Sequence, residues 1–358
     1  VPRQLHYDRL LCLTILALTC FGLLMVFSVT AADGDPSFSF IRKQGIAAVI
    51  GLAGMRFLMF RDYHEWRNQK VVFGVVGAAI VLLTMAFLFG SGANTGRWLS
   101  LGGFSFQPSE VAKLAVILFL AYYLETHGDK IDSVRSMAGG GIVLAAFCAL
   151  IFGGRDLGTA VAIGVVAATM LWTAGLRMRW FLAGIVLAIG LVYAATIVEP
   201  YRMQRITTFL HPEEDPLGAG FQAMQSQIAI GSGGVIGQGL MFGRQKMRFL
   251  PAAHTDFIFG VIGEETGLVG CSIIVIAFGL ILWRGLWVSI RAPDAFGRYL
   301  AVGVTAMIVC QAMINMGVAL SMLPTKGMPL PFVSYGGSSL IVCLIGSGLL
   351  LNVSQHAD

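Results

Sequence analysis

The chain has 358 residues, of which 56% are hydrophobic and only 12% charged, where a soluble globular protein carries about 25% charged residues. Most of its side chains therefore have no use for water, and an ordinary soluble domain is excluded. The formal net charge of +5 is spread between apolar runs instead of gathering on one basic face, so nucleic acid is not an expected partner.

A membrane span needs about 20 mostly apolar residues. Windows of that kind predict helices at 9–30, 44–60, 71–90, 108–125, 136–152, 157–175, 180–198, 257–283, 298–322 and 336–353. The first of them, from Leu10 to Val29, lacks an A-x-A-like exit and is expected to remain as a span and not be cleaved as a signal peptide. The expected fold is thus an all-α integral membrane protein. It is a polytopic bundle of about ten transmembrane helices forming a single domain over 1–358, with one long connection at 199–255. The 45 glycines suit helices in lipid. Cys12, Cys20, Cys148, Cys271, Cys310 and Cys343 each sit in an apolar run without C-x-x-C or Cys/His grouping, so they read as packing residues and not as a disulfide or zinc framework.

Lys and Arg placement orients the bundle. With the N-terminus in the cytoplasm, thirteen Lys/Arg fall on inner segments, against five (Arg42, Lys43, Arg97, Arg155, Lys326) on short outer loops. Both termini are therefore expected inside, and 199–255 outside. That loop opens with Glu199-Pro200-Tyr201-Arg202 and Arg205, passes an acidic turn from His211 to Pro216, and places Phe221, Met224 and Ile228 at helical spacing. The spacing predicts an amphipathic helix in the membrane interface. A glycine-rich stretch from Gly231 to Gly239 follows, and then Arg244, Lys246 and Arg248 before Pro251. A loop this long is functional or disordered, and its apolar content argues against disorder. No internal repeat is visible, which disfavours the common secondary-transporter architectures.

The sharpest motif is His254-Thr255-Asp256-Phe257-Ile258-Phe259, which puts a carboxylate where a polar loop becomes an apolar helix. Two readings of it stand side by side. Thr255 or Asp256 caps the helix, or Asp256 is a general base at the membrane surface, oriented by His254 and Thr255. Glu264 and Glu265 lie deeper in the same helix and are read as ion-pairing groups that order the bundle. Upstream, Pro108 is placed to start a helix, and Glu110 and Lys113 at i,i+3 can pair. The step Gly154-Arg155-Asp156-Leu157-Gly158-Thr159 reads alone as a turn. The stretch from Pro324 to Ser339 is a rigid loop with three prolines, and only weakly a phosphate cradle. The expected outer surface thus collects one prominent carboxylate and the cations Arg97, Arg155, Arg202, Arg205, Arg244, Lys246, Arg248 and Lys326. A lipid-linked diphosphate suits that arrangement, because cations stabilise the charge of a diphosphate leaving group. Contact with membrane lipid headgroups is the other use for the same charges.

Five blocks in order carry a resemblance: Arg97-Trp98-Leu99 with Phe106-Gln107-Pro108-Ser109-Glu110, Asp156 to Ala160, Asp215 to Gly220, His254 to Phe259, and Pro331 to Ser339. Over nearly its whole length the chain resembles the SEDS family (shape, elongation, division, sporulation). The resemblance implies a ten-helix polymerase of peptidoglycan in the bacterial cytoplasmic membrane, with its site facing outward. It would pass glycan from undecaprenyl-diphosphate lipid II to the sugar 4-hydroxyl of another lipid II. Asp256 matches the family's essential aspartate, the expected base. Arg97, Trp98, Gln107, Ser109, Glu110, Lys113, Asp156, Arg205, Lys246, Arg248, His254, Thr255, Lys326, Ser334 and Ser338 are expected to hold the substrate around it. The expected partners are a class B penicillin-binding protein and other divisome or elongasome membrane proteins. Leu323-Pro324-Thr325-Lys326-Gly327 and Arg244-Gln245-Lys246 look more like division members than elongation members. The chain departs from the family pattern at Arg155, where proline is common, at Ala252, where glutamate is, and at Ser321, where glycine is. The sequence makes no cofactor certain. A divalent cation, Mg or Mn, could be shared by His254 and Asp256 or ride on the diphosphate, but no strong ligand spacing specifies one. A flippase using Glu110, Lys113 and Glu264, and a non-catalytic division scaffold, are the competing readings.

Overall fold

The computed structural model describes residues 7–32, 38–90, 96–101, 104–128, 131–210, 219–243 and 254–357. Twelve α-helices are described: α1 (Arg9–Ala32), α2 (Ser39–Phe60), α3 (Gln69–Phe89), α4 (Pro108–His127), α5 (Val134–Gly153), α6 (Leu157–Thr173), α7 (Met178–Val198), α8 (Pro200–Leu210), α9 (Ala219–Gly233), α10 (Ile258–Arg291), α11 (Ala295–Ala319) and α12 (Gly337–Ser354). A two-stranded antiparallel ribbon, β1 (Leu99–Leu101) and β2 (Phe104–Phe106), joins α3 to α4.

Every helix expected from hydropathy is present. Eight described helices are long and apolar enough to cross a membrane; α6 is shorter, and α4 carries Glu110, Lys113 and Glu125. Starts follow from short polar side chains that accept otherwise unpaired backbone N–H groups. Asn68 caps α3, Ser133 caps α5, Asp156 caps α6 and Asp294 caps α11, while α4 begins on Pro108, which has no N–H to lose. The core is centred on α11 and α12, with 78% and 83% of their spans buried, whereas α7 is 6% buried and lies at the periphery.

Polar contacts gather at two opposite ends. At one, Asp8 meets Arg284 and Ser354, Tyr63 meets Asp294 and Asn352, Arg67 meets Glu125 and Arg177 meets Asp132. At the other, Arg97 meets Gly154, Arg205 meets Thr325, Ser334 meets Thr255 and Gln44 meets Ser334. The chain alternates between these ends along α1 to α7 and again along α10 to α12. The alternation that Lys/Arg counting assumed is therefore built into the fold.

The connection at 199–255 differs from its expected form. Its first part is α8, which sequence periodicity did not single out. In α9, Phe221 and Met224 are half-buried and Ile228 is exposed, while the face that packs is made of small residues. Gly233 lies so close to α10 that a Cβ on it would stand 1.9 Å from the Gly263 carbonyl, and Gly260 would meet Ser226 in the same way. Small residues let two backbones approach where lipid offers no hydrophobic drive.

Helix α10 is broken at Gly267, whose φ of 65° and ψ of −162° are not helical. The backbone groups released by the break are taken up by the glycine-rich segment. Gln238 and Gly239 donate to the Glu264 and Glu265 carbonyls, and Leu268 and Val269 donate to Gly234 and Val235. The Glu265 carboxylate accepts from Met241 N and from Ser28 Oγ. The ordering role expected of Glu265 thus includes neutral donors. Irregular backbone of this kind is tolerated in a membrane bundle where protein re-satisfies it.

Candidate active site

The His254-Thr255-Asp256 turn precedes α10 and is held through three successive carbonyls. Tyr335 N donates to the His254 carbonyl (2.8 Å), Ser334 Oγ to that of Thr255 (2.6 Å), and Asn315 Nδ2 to that of Asp256 (2.9 Å). The donors come from the proline-rich loop between α11 and α12, and from α11 itself. The His254 ring packs among Phe40 and Tyr335. Gln44 on α2 grips the same loop, donating to the Ser334 carbonyl and accepting from Gly336 N.

Asp256 is not the cap of α10: Phe257 holds the N-cap position, without a side-chain hydrogen bond. The Asp256 carboxylate instead lies against Gly327, where a Cβ would come within 3.0 Å of Oδ2. Burial raises its pKa to about 6, partly opposed by the Arg205 charge. The carboxylate thus binds a proton more tightly than an ordinary aspartate.

Cations line the approach. Arg205 on α8 donates to the Thr325 carbonyl at 3.0 Å. Lys326 follows in the loop, and its side chain fills the space left by Gly158. Burial lowers the Lys326 pKa to about 8; Asp156 works the other way, and Arg205, Arg97 and Arg202 add to the lowering. Arg97 is pinned by the Gly154 and Arg155 carbonyls. Arg202 is pinned by the Ala195 carbonyl and lies over the Phe152 ring.

The remaining expected residues divide by what they touch. Pairing of β1 with β2 in the register Leu99↔Phe106 brings Arg97 and half-buried Trp98 beside Gln107. Asp156 Oδ2 accepts from Gln107 Nε2 (3.1 Å), Ser109 Oγ (3.2 Å) and Thr159 Oγ1 (2.8 Å), tying the starts of α4 and α6 together. Ser338 Oγ accepts from Gln107 N. A cavity of about 20 Å³, room for about one water, is lined by Arg97, Ser109, Gly154 and Asp156 among others. Glu110 and Lys113 are buried and pair at 2.8 Å, with Lys113 Nζ also on Gln311 Oε1 at 2.6 Å. They reach the Asp256 turn through Gln311 and the loop, and not as its neighbours. Lys246 and Arg248 lie outside the described residues. Among the described residues no three His, Cys, Asp or Glu side chains gather as a resident metal would need.

Sequence reading did not single out Gln44, Gln311, Asn315 or Gly327. A signal existed for two of them: Gln311 and Asn315 are large polar side chains one turn apart in an otherwise apolar helix.

A multi-helix membrane protein whose helix ends gather Asp256, Asp156 and several cations round a rigid turn defines the class. The chain belongs to the cell cycle protein family of FtsW, RodA and SpoVE, whose model matches residues 8–358. It is 44% identical to the FtsW of Geobacter metallireducens, named a probable peptidoglycan glycosyltransferase, over 98% of this chain and 95% of that one. It is 42% identical to the stage V sporulation protein E of Bacillus subtilis, over 98% and 97%. Among solved structures, a chain of a peptidoglycan synthase complex that coordinates polymerization and crosslinking superposes with a TM-score of 0.82 at 30% identity, covering 98% of this chain and 99% of that one. The rod shape determining protein RodA of Thermus thermophilus superposes at 0.74 with 28% identity, covering 99% of both.

Proposed function

We propose that the chain is a peptidoglycan glycosyltransferase that polymerises lipid II in cell division. Asp256 takes the proton from the sugar 4-hydroxyl of the acceptor lipid II. That oxygen bonds to the anomeric carbon of the donor glycan, and the bond from this carbon to undecaprenyl diphosphate breaks. The diphosphate leaves with its bonding electron pair, beside Arg205, Lys326, Arg97 and Arg202, which stabilise the charge it gains. The observation that carries this reading is a basic carboxylate, fixed by three backbone contacts and backed by Gly327, at the same helix ends as those cations.

The asymmetry of Lys and Arg supports an outward-facing site and cytoplasmic termini in the bacterial inner membrane. The FtsW relatives, at 38% to 44% identity, support a division role over the elongation role of RodA. The likeness to a complex that couples polymerization to crosslinking supports a class B penicillin-binding protein as partner. A divalent cation, where one takes part, enters on the substrate's diphosphate in this proposal.

The purified chain, reconstituted with such a partner in liposomes, is expected to convert lipid II into glycan that muramidase digests. Lipid II crossing the bilayer without polymer forming would replace the enzyme with a flippase.

A further inference from the structure

The geometry points to Asn315 as a positioning residue for Asp256, with Gln311, one turn earlier on α11, fixing the loop that backs the carboxylate. This rests on the polymerase reading of the site. Asn315 is 1% exposed, so it acts on the reaction only through its neighbours. Its single amide donates twice, to the Asp256 carbonyl at 2.9 Å and to the Met328 carbonyl at 2.7 Å. The two N–H bonds of a planar amide have fixed directions, so this contact sets the spacing between residue 256 and residue 328. Met328 follows Gly327, the residue against which the carboxylate rests. One side chain therefore fixes both the acid's own backbone and the wall behind the acid.

Gln311 repeats the device on the next carbonyl of the loop. Its Nε2 donates to the Pro329 carbonyl at 2.8 Å and to Ser339 Oγ at 3.1 Å, while its Oε1 accepts from Lys113 Nζ at 2.6 Å. An ammonium only donates, so Lys113 holds the amide with its oxygen toward α4 and its nitrogen toward the loop. The buried Glu110–Lys113 pair thus reaches the reaction by orienting Gln311. Positions four apart lie on one helix face, and α11 presents Gln311 and Asn315 together as a two-rung support for the loop.

The test is steady-state polymerisation by the full chain with its class B partner, with pH profiles for wild type, Asn315→Ala, Asn315→Asp and Gln311→Ala. A displacement of about 1 Å at a reacting group costs about 100-fold. Asn315→Ala is expected to lower kcat by ~10- to 100-fold with KM for lipid II changed by less than about twofold. The acidic limb of its profile is expected to move toward lower pH, because a loosened turn admits water to the carboxylate. Asn315→Asp keeps the size but not the donors; it gives the same pattern and serves where the alanine variant fails to fold. Gln311→Ala is expected to show the same pattern more weakly. An unchanged kcat, or a loss of folded protein with the acidic limb in place, overturns the inference while leaving the polymerase reading intact. A wild-type chain that makes no glycan overturns that reading itself.

Discussion

Burial lifts the Asp256 carboxyl to about 6 and lowers the Lys326 ammonium to about 8, and in the proposed mechanism, with Asp256 as base and Lys326 beside the leaving group, the two shifts bound the pH range of the chemistry. The base must be ionised, so kcat/KM falls as pH drops through about 6. A protonated Lys326 supports the departing diphosphate, so kcat/KM falls again as pH rises through about 8. A bell with those limbs is expected from initial rates across pH. Stability follows the opposite sign for Asp256. Its folded pKa lies above the unfolded value of 3.8, so it favours the fold below that value, and the benefit is lost as pH rises through about 6. Asp256→Asn is therefore expected to abolish polymerisation while raising the thermal midpoint at pH 8, by a free energy of no more than about 3 kcal/mol. Gly327→Ala is expected to cut the rate about tenfold or more without unfolding the chain, because its Cβ would stand 3.0 Å from Asp256 Oδ2. The aspartate stood out in the sequence as a charge at the start of an apolar helix, and its expected role came from the family resemblance. Gly327 drew notice only as part of the Leu323–Gly327 block, since nothing in the sequence shows that it lies against a carboxylate. The backbone bears on two departures from the family pattern, excluding proline at one and explaining the usual glycine at the other. Arg155 has a φ of 61°, which a proline ring forbids, and Ser321 has a φ of 55°, the left-handed region where glycine is usual.

Hydropathy located α1 to α7 and α10 to α12 because most are long and apolar, and even short α6 and charged α4 keep an apolar run, but it missed α8, which is short and carries Arg202 and Arg205. It also missed the break in α10: Glu264 and Glu265 interrupt the apolar run beside Gly267, but the partner of the break lies some thirty residues upstream. Gly237 has a φ of 81°, and a Cβ there would stand 2.2 Å from the Glu265 carbonyl. Gly237→Ala is expected to destabilise the chain by about 1–3 kcal/mol, seen as a lower melting midpoint in detergent. For α4, the sequence suggested both a structural pair and a substrate contact, and burial favours the pair. Glu110→Ala leaves the Lys113 ammonium buried without its carboxylate and is expected to cost about 3–5 kcal/mol. Replacing both residues by methionine is expected to restore most of that stability. Stability unchanged in Glu110→Ala would return the pair to a substrate role.

Among the described residues, α1 to α7 and α10 to α12 alternate between two polar ends, and every described residue placed at the site lies at one of them or is linked to it. In the proposed orientation, which rests on Lys/Arg asymmetry, that end faces outside. Cysteine introduced at exposed Gln204 on α8 is expected to react with a membrane-impermeant maleimide in intact cells, and cysteine at exposed Glu65 only after lysis. The sequence offers this sidedness as an expectation, because the rule depends only on composition near helix ends. It could not carry the meeting of residues 97, 156, 205, 256 and 326, since their distances along the chain say nothing of which helix ends adjoin. The most direct measurement compares wild-type chain and Asp256→Asn, each purified with a class B partner, for glycan made from lipid II. Polymer from the wild type and none from an equally folded Asp256→Asn variant is the predicted result. Equal polymer from both would contradict the account.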